Sequence, residues 1–248
     1  MTPTVHRAAD REALSRAAAQ FLVDDIHATL ETQDTYTLAL AGGSTPRRLY
    51  ELLGTGAAGT VPWDRVHLFW GDERYVPHDD PKSNVHLVRE TLLAAATVPA
   101  ANVHPIPTQH DTPDAAATAY AETLQEWFAD RTATFDTALL GLGSDGHTAS
   151  LFPETSSFAD DERWVRVVTA PPRHDVATRL SCTMPVLNGA RQAVFLVSGE
   201  RKEEAVRSVL DRRDPSLPAT HVRPRAACHW FVDRAARPEG DRGSDAGA

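Results

Sequence analysis

Cysteine is almost missing from this chain of 248 residues: only Cys182 and Cys228 occur, far apart and without metal-type spacing. No disulfide framework is expected, both residues read as ordinary buried thiols, and a reducing, cytoplasmic setting fits. No apolar run approaches the ~18 residues of a transmembrane helix, so no membrane partner is expected. The opening residues, MTPTVHRAADREAL, lack the apolar core of a secretory signal. Positive charge is also in short supply. The formal net charge is −9, which argues against a nucleic-acid partner, because phosphate backbones demand clustered Lys and Arg. A small anionic ligand stays compatible, since two or three local cations can act against the global field. No internal repeat is evident. No Walker A ending closes a glycine-rich turn, and no G-x-S-x-G serine elbow occurs.

What is present is ordinary for a globular protein: 42% hydrophobic and 24% charged residues. A chain of this length buries roughly three quarters of its unfolded surface and needs no staples. Residues 1–234 read as a single domain. Residues 235–248, carrying Arg237, Pro238, Gly240 and Gly243, read as a disordered tail.

Strand and helix signals alternate. Residues 9–32 are predicted helical, with Leu14, Ala18, Leu22 and Ile26 near helical spacing. Short apolar strands are predicted at 36–41, 66–70, 135–142, 164–169, 179–183, 193–197 and 229–232. Further helices are predicted from Pro46 to about Gly54, beyond a cap at Ser83 or Asn84, over 113–129, and from Glu200 to about Leu210. This pattern indicates an α/β fold with a mostly parallel open sheet. In such sheets ligands bind outside the carboxyl ends of the strands.

Three constellations fall at strand ends. Gly42-Gly43-Ser44-Thr45 joins a strand to a helix, where free N–H groups and hydroxyls suit an anion. The plainer reading is a Ser or Thr N-cap. Lys202, after Ser198-Gly199, and Arg179, opening a later strand, are the candidate cations; each alone also reads as a surface charge. Gly141, Gly143 and Gly146 match G-x-G-x-x-G, but Asp145 would put a carboxylate where a pyrophosphate should bind. Asp145-Gly146-His147 is better read as acid–base machinery, with water as nucleophile. Gly71-Asp72-Glu73-Arg74 puts three charges after an apolar strand. It reads either as a surface ion-pair turn or as Asp72 and Arg74 at a pocket mouth.

Five motifs occur in order: AGGSTP, WGDERYVP followed by SN, GLGSDGHTASLFP, RLSCTMP and SGERK. Together they resemble the 6-phosphogluconolactonase family, a relative of glucosamine-6-phosphate deaminase/isomerase, over roughly residues 10–234. The resemblance implies a three-layer NagB/RpiA/CoA transferase-like sandwich. It implies hydrolysis of 6-phospho-D-glucono-1,5-lactone, the second step of the oxidative pentose phosphate pathway, with no metal or organic cofactor. His147 is then the general base. Gly43, Ser44, Thr45, Arg179 and Lys202 line the phosphate pocket, and Arg74 lies in the active site. Either Asp145 or Asp72 orients His147, and Arg74 or a backbone N–H of the Gly143–Gly146 turn faces the oxyanion. A monomer, or a weak homo-oligomer, is expected. The deaminase relatives typically carry a glutamate five residues after the histidine; here that position is Phe152, and Glu154 is displaced by two. A sugar-phosphate-binding protein without turnover is the third reading, and no basic helix-turn-helix segment accompanies it.

Overall fold

Apolar runs of five or six residues form the centre of one parallel sheet. Tyr36–Leu40 (β2) and Gln192–Val197 (β9) are buried at every position, as strands covered on both faces must be. The computed structural model describes residues 2–154 and 162–237. In chain order its elements begin with β1 (Thr4–Ala8), α1 (Arg11–Leu30), β2, α2 (Ser44–Gly54), β3 (Val66–Trp70), β4 (Asp72–Arg74) and α3 (Asn84–Thr91). They continue with β5 (Val103–His104), α4 (Pro113–Phe128), β6 (Thr137–Gly141), β7 (Val165–Thr169) and β8 (Thr178–Cys182). The last are α5 (Met184–Asn188), β9, α6 (Glu203–Leu210) and β10 (Ala227–Asp233).

The main sheet has the order β1-β10-β9-β6-β2-β3-β5, and every pairing in it is parallel. Helices cover both of its faces, giving the layered α/β architecture expected from sequence. Because β9, β6, β2 and β3 are consecutive neighbours, the loops leaving their carboxyl ends emerge side by side. That adjacency collects motifs from distant parts of the chain at one edge.

Two tyrosines hold that edge in register. Tyr50 Oη donates to the Ala41 carbonyl (2.7 Å) and accepts from the Ala41 N–H (2.9 Å). Tyr120 Oη does the same for Trp70, at 3.0 and 2.9 Å. Each satisfies a backbone pair where a strand leaves the ladder, so the chain can turn away without orphaned groups. At the same carboxyl edge, just after β1, Asp10 caps α1 by accepting from Ala13 N (2.8 Å).

A second, antiparallel sheet, β4-β8-β7, is not foreseen from sequence. Of the two sequence readings of Asp72–Arg74, the surface ion-pair turn does not hold, whereas Asp72 and Arg74 do border a cavity. The segment is a strand pairing Asp72 with Ser181 and Arg74 with Arg179. Three charged residues carry no alternating apolar signature, and pairing with β8 alone makes them a strand. The half-exposed edge strand β1 and the five-residue α5 were also unmarked.

The tail expectation needs correcting at its start. Ala236 and Arg237 are buried, and Arg237 Nη2 pairs with Asp211 Oδ1 at 2.9 Å. Composition cannot register that one arginine is buried against a carboxylate. Residues 238–248 lie outside the described residues. Cys182 and Cys228 are both free and buried.

Candidate active site

The turn after β2 presents the first half of the site. Gly43 stands at the N-cap of α2 with φ 97°, a left-handed conformation that favours glycine. It has no side chain to cap the helix, so neither Ser44 nor Thr45 acts as the N-cap. Ser44 and Thr45 are the first two helical residues, where N–H groups have no intrahelical acceptor. Pro46, next in line, has no N–H to satisfy. The first turn of α2 thus offers backbone donors and two hydroxyls to an anion.

Cations converge on the same place. Arg74, Arg179 and Lys202 border one cavity of about 270 Å³ together with Ser44 and His147. Among the described residues, none of the three cations has a carboxylate within 4.0 Å. Arginines elsewhere behave differently: Arg48 bonds Glu12, and Arg191 bonds Asp25. Arg179 is held by its Nε–H, which donates to the Val176 carbonyl (2.9 Å). Burial, followed by the charge of Arg74 beside it, lowers the pKa of Arg179. Burial also lowers the pKa of Lys202. Desolvated cations without counter-charges are what a phosphate pocket needs.

The loop after β6 supplies the imidazole. Asp145 Oδ1 accepts from His147 Nδ1 at 2.5 Å. A carboxylate only accepts, so Nδ1 carries the proton and Nε2 is the free base in the neutral ring. Burial would raise the Asp145 pKa, but the hydrogen bond and charge of His147 and the Arg173 guanidinium outweigh it and hold that carboxyl well below the usual range. Gly143 N–H donates to the His147 carbonyl (2.8 Å), and Thr148 Oγ1 donates to the Gly141 carbonyl (2.9 Å). A Cβ at Gly143 would come 2.0 Å from His147 Nδ1. Only glycine admits the ring there.

Asp72 does not touch His147. Its Oδ2 accepts from Ser150 Oγ at 2.6 Å, tying β4 to the catalytic loop. Of the two carboxylates, Asp145 is the one hydrogen-bonded to the His147 ring. Glu73 is fully buried and accepts from Asn84 N (2.7 Å), Val85 N (2.9 Å), Ser83 Oγ (2.9 Å) and Arg74 N (2.7 Å). Ser83, one of the two sequence candidates, is the N-cap of α3, and Glu73 backs that cap rather than forming a surface ion pair. Burial raises its pKa, and those hydrogen bonds oppose the rise.

Of the ten residues singled out from sequence, nine border this one cavity: Gly42, Gly43, Ser44 and Thr45 from the first turn, Asp72 and Arg74 from β4, and His147, Arg179 and Lys202. Asp145 sits behind His147. Sequence reasoning missed Arg173, which bridges Asp145 and Glu154. It missed Asp233, whose carboxylate accepts from Ser198 Oγ (2.6 Å) and Gly199 N (3.0 Å) and shapes the turn before Lys202. It also missed His174, which packs edge-on to His147 with ring centroids 5.4 Å apart. None of the three belongs to a recognisable motif. Asp145, His147 and His174 present donor atoms within 4.8 Å of one another, a possible cation-ligating set by spacing. The Asp145 oxygens are already engaged, however, and the Arg173 guanidinium opposes a cation there.

Residues 9–230 match the family described as glucosamine-6-phosphate isomerases/6-phosphogluconolactonase. A 6-phosphogluconolactonase of a Nostoc species is 36% identical over 244 residues, covering 96% of this chain and 99% of that protein. The crystal structure of a 6-phosphogluconolactonase from Thermotoga maritima superimposes with TM-score 0.82 and 31% identity, covering 94% of this chain and 100% of that one. A monomeric glucosamine-6-phosphate deaminase shares the fold, with TM-score 0.80 at 22% identity over 94% of this chain and 98% of that one.

Proposed function

The chain belongs to the glucosamine-6-phosphate isomerase/6-phosphogluconolactonase family, and on that premise we propose that it hydrolyses 6-phospho-D-glucono-1,5-lactone to 6-phospho-D-gluconate, with His147 activating the water. The observation that carries the reading is the shared cavity: unpaired cations and a bare helix start open into the same space as the Asp145-supported imidazole.

The phosphate rests on the first turn of α2, with Lys202 and Arg179 supplying charge. Binding energy from this remote group places C1 of the lactone near His147. His147 Nε2 takes a proton as water attacks C1; general bases of this kind contribute about 10²–10⁴-fold. Asp145 fixes the tautomer and stabilises the imidazolium. The carbonyl electrons move onto oxygen, where Arg74 or an N–H of the Gly143–Gly146 turn receives the charge. On collapse the C1–O5 bond breaks, and His147 returns its proton to O5. The groups described all come from one chain, so a monomer suffices. Two free buried thiols suit a cytoplasmic enzyme.

Phe152 favours this reading over deamination. Its ring lies 4.7 Å from that of His147, centroid to centroid, so an apolar group stands where ring-opening chemistry would want an acid. The test is a coupled assay with the phosphorylated lactone, measured against the enzyme-free rate. Turnover above background supports the proposal. Ammonia release from glucosamine 6-phosphate, without lactone turnover, overturns it.

A further inference from the structure

The loop between β7 and β8 places a second imidazole in the cavity. It is closed by the Ala170 N–H donating to the Ala177 carbonyl (2.7 Å) and turned by His174 N–H donating to Pro171 O (3.0 Å). The His174 ring lies 5.4 Å from His147 at 81° and 4.9 Å from Phe152, so the three rings form a closed triangle. Its Nε2 is buried and has no hydrogen-bond partner among the described residues. A buried ring nitrogen left unpaired is costly, so a polar partner that reaches this ring favours the site. A ring nitrogen of His174 lies within 4.8 Å of a ring nitrogen of His147. That span accommodates one water with ordinary hydrogen-bond lengths to both rings.

We propose that His174 is a second catalytic imidazole, a ring nitrogen of which holds the attacking water jointly with His147. This rests on the lactonase reading. The water donates one hydrogen to His147 Nε2, which takes that proton as the oxygen bonds to C1. It donates the other hydrogen to the facing ring nitrogen of His174, where the hydrogen bond fixes the direction of the lone pair and no proton is transferred. His174 suits an accepting role. Burial, and then the positive charges of His147, Arg179 and Arg173, lower its pKa, while Asp145 opposes them more weakly. A lowered pKa favours the neutral, accepting form of the ring. Phe152 packs against both rings.

His174→Phe keeps the aromatic packing and deletes the nitrogen. His174→Gln restores a polar acceptor on a side chain of similar reach. Both are compared with the unaltered protein in the coupled lactone assay, with melting temperatures recorded alongside. The expected result is a kcat about 10- to 100-fold lower for His174→Phe, with KM changed less than about threefold, and partial recovery in His174→Gln. An active unaltered protein with full kcat in His174→Phe overturns this inference alone. So does equal impairment of both variants together with lowered melting temperatures, which marks a packing role. An unaltered protein without turnover above background overturns the lactonase reading and this inference with it.

Discussion

Arg74 and Arg179 are register partners across β4 and β8, and both reach the active-site cavity with no carboxylate within 4.0 Å among the described residues. Two like charges side by side are unfavourable unless an anion sits between or before them. In a chain of net charge −9, leaving these two unpaired is a local choice of the fold. Their pairing across the small antiparallel sheet sets both on the cavity that the start of α2 also borders.

The first expectation concerns that anion. Lys202→Ala raises KM for the phosphorylated lactone by about 10- to 100-fold, the loss of one charge-assisted contact. Turnover of unphosphorylated gluconolactone changes little. Parallel kinetics on both substrates check this, and equal losses on both would remove Lys202 from the phosphate pocket.

Gly143→Ala tests how tightly the imidazole is seated. The added methyl falls 2.0 Å from His147 Nδ1 and 2.3 Å from Asp145 Oδ1, so the pair must move. A displacement of this order costs about 10²-fold in kcat. Circular dichroism should report an intact fold. Wild-type kcat in this variant would mean that the geometry of the Asp145–His147 pair does not govern the rate.

Glu73→Ala leaves the donors at the start of α3 without their shared acceptor. Each orphaned buried group costs about 1–3 kcal/mol, so the melting temperature falls by several degrees. Thermal melts of the variant check this. An unchanged melting temperature would contradict the capping role.

Acid stability follows from the histidines. Burial, with His67 beside it, pushes the His104 imidazole down to about 4, and burial lowers His67 and His229 as well. Each folded value lies below the ordinary 6.5, so the unfolded chain takes up protons first as pH falls. Stability is therefore full above pH 6.5 and declines toward pH 4. Glu73, raised by burial, acts in the opposite sense, so the informative quantity is a difference. His104→Gln flattens the fall in melting temperature between pH 7 and pH 5. The same slope in both proteins would contradict this.

The centre of the parallel sheet was legible because β2, β3, β6 and β9 are apolar runs that end at glycines. Strand β3, Val66–Trp70, matches its expected bounds, and the strand ends carried the motifs that meet in the cavity. The second sheet was not legible. Asp72–Arg74 is made a strand by a partner more than a hundred residues away, and its buried carboxylates are satisfied by groups whose positions only the fold determines. The choice between Asp145 and Asp72 failed to resolve for the same reason: both follow a strand and a glycine, and only three-dimensional placement separates them. His174 and Arg173 sit in a hairpin loop with no motif, and their reach to His147 and Asp145 is a property of the loop's path.

The most direct measurement is the lactonase turnover of His147→Ala, corrected for spontaneous hydrolysis and paired with calorimetric binding of 6-phosphogluconate. Turnover should fall by about 10²-fold or more, while product affinity stays within about threefold of the unaltered protein. A kcat close to the unaltered value would show that the imidazole facing the phosphate pocket does not perform the chemistry.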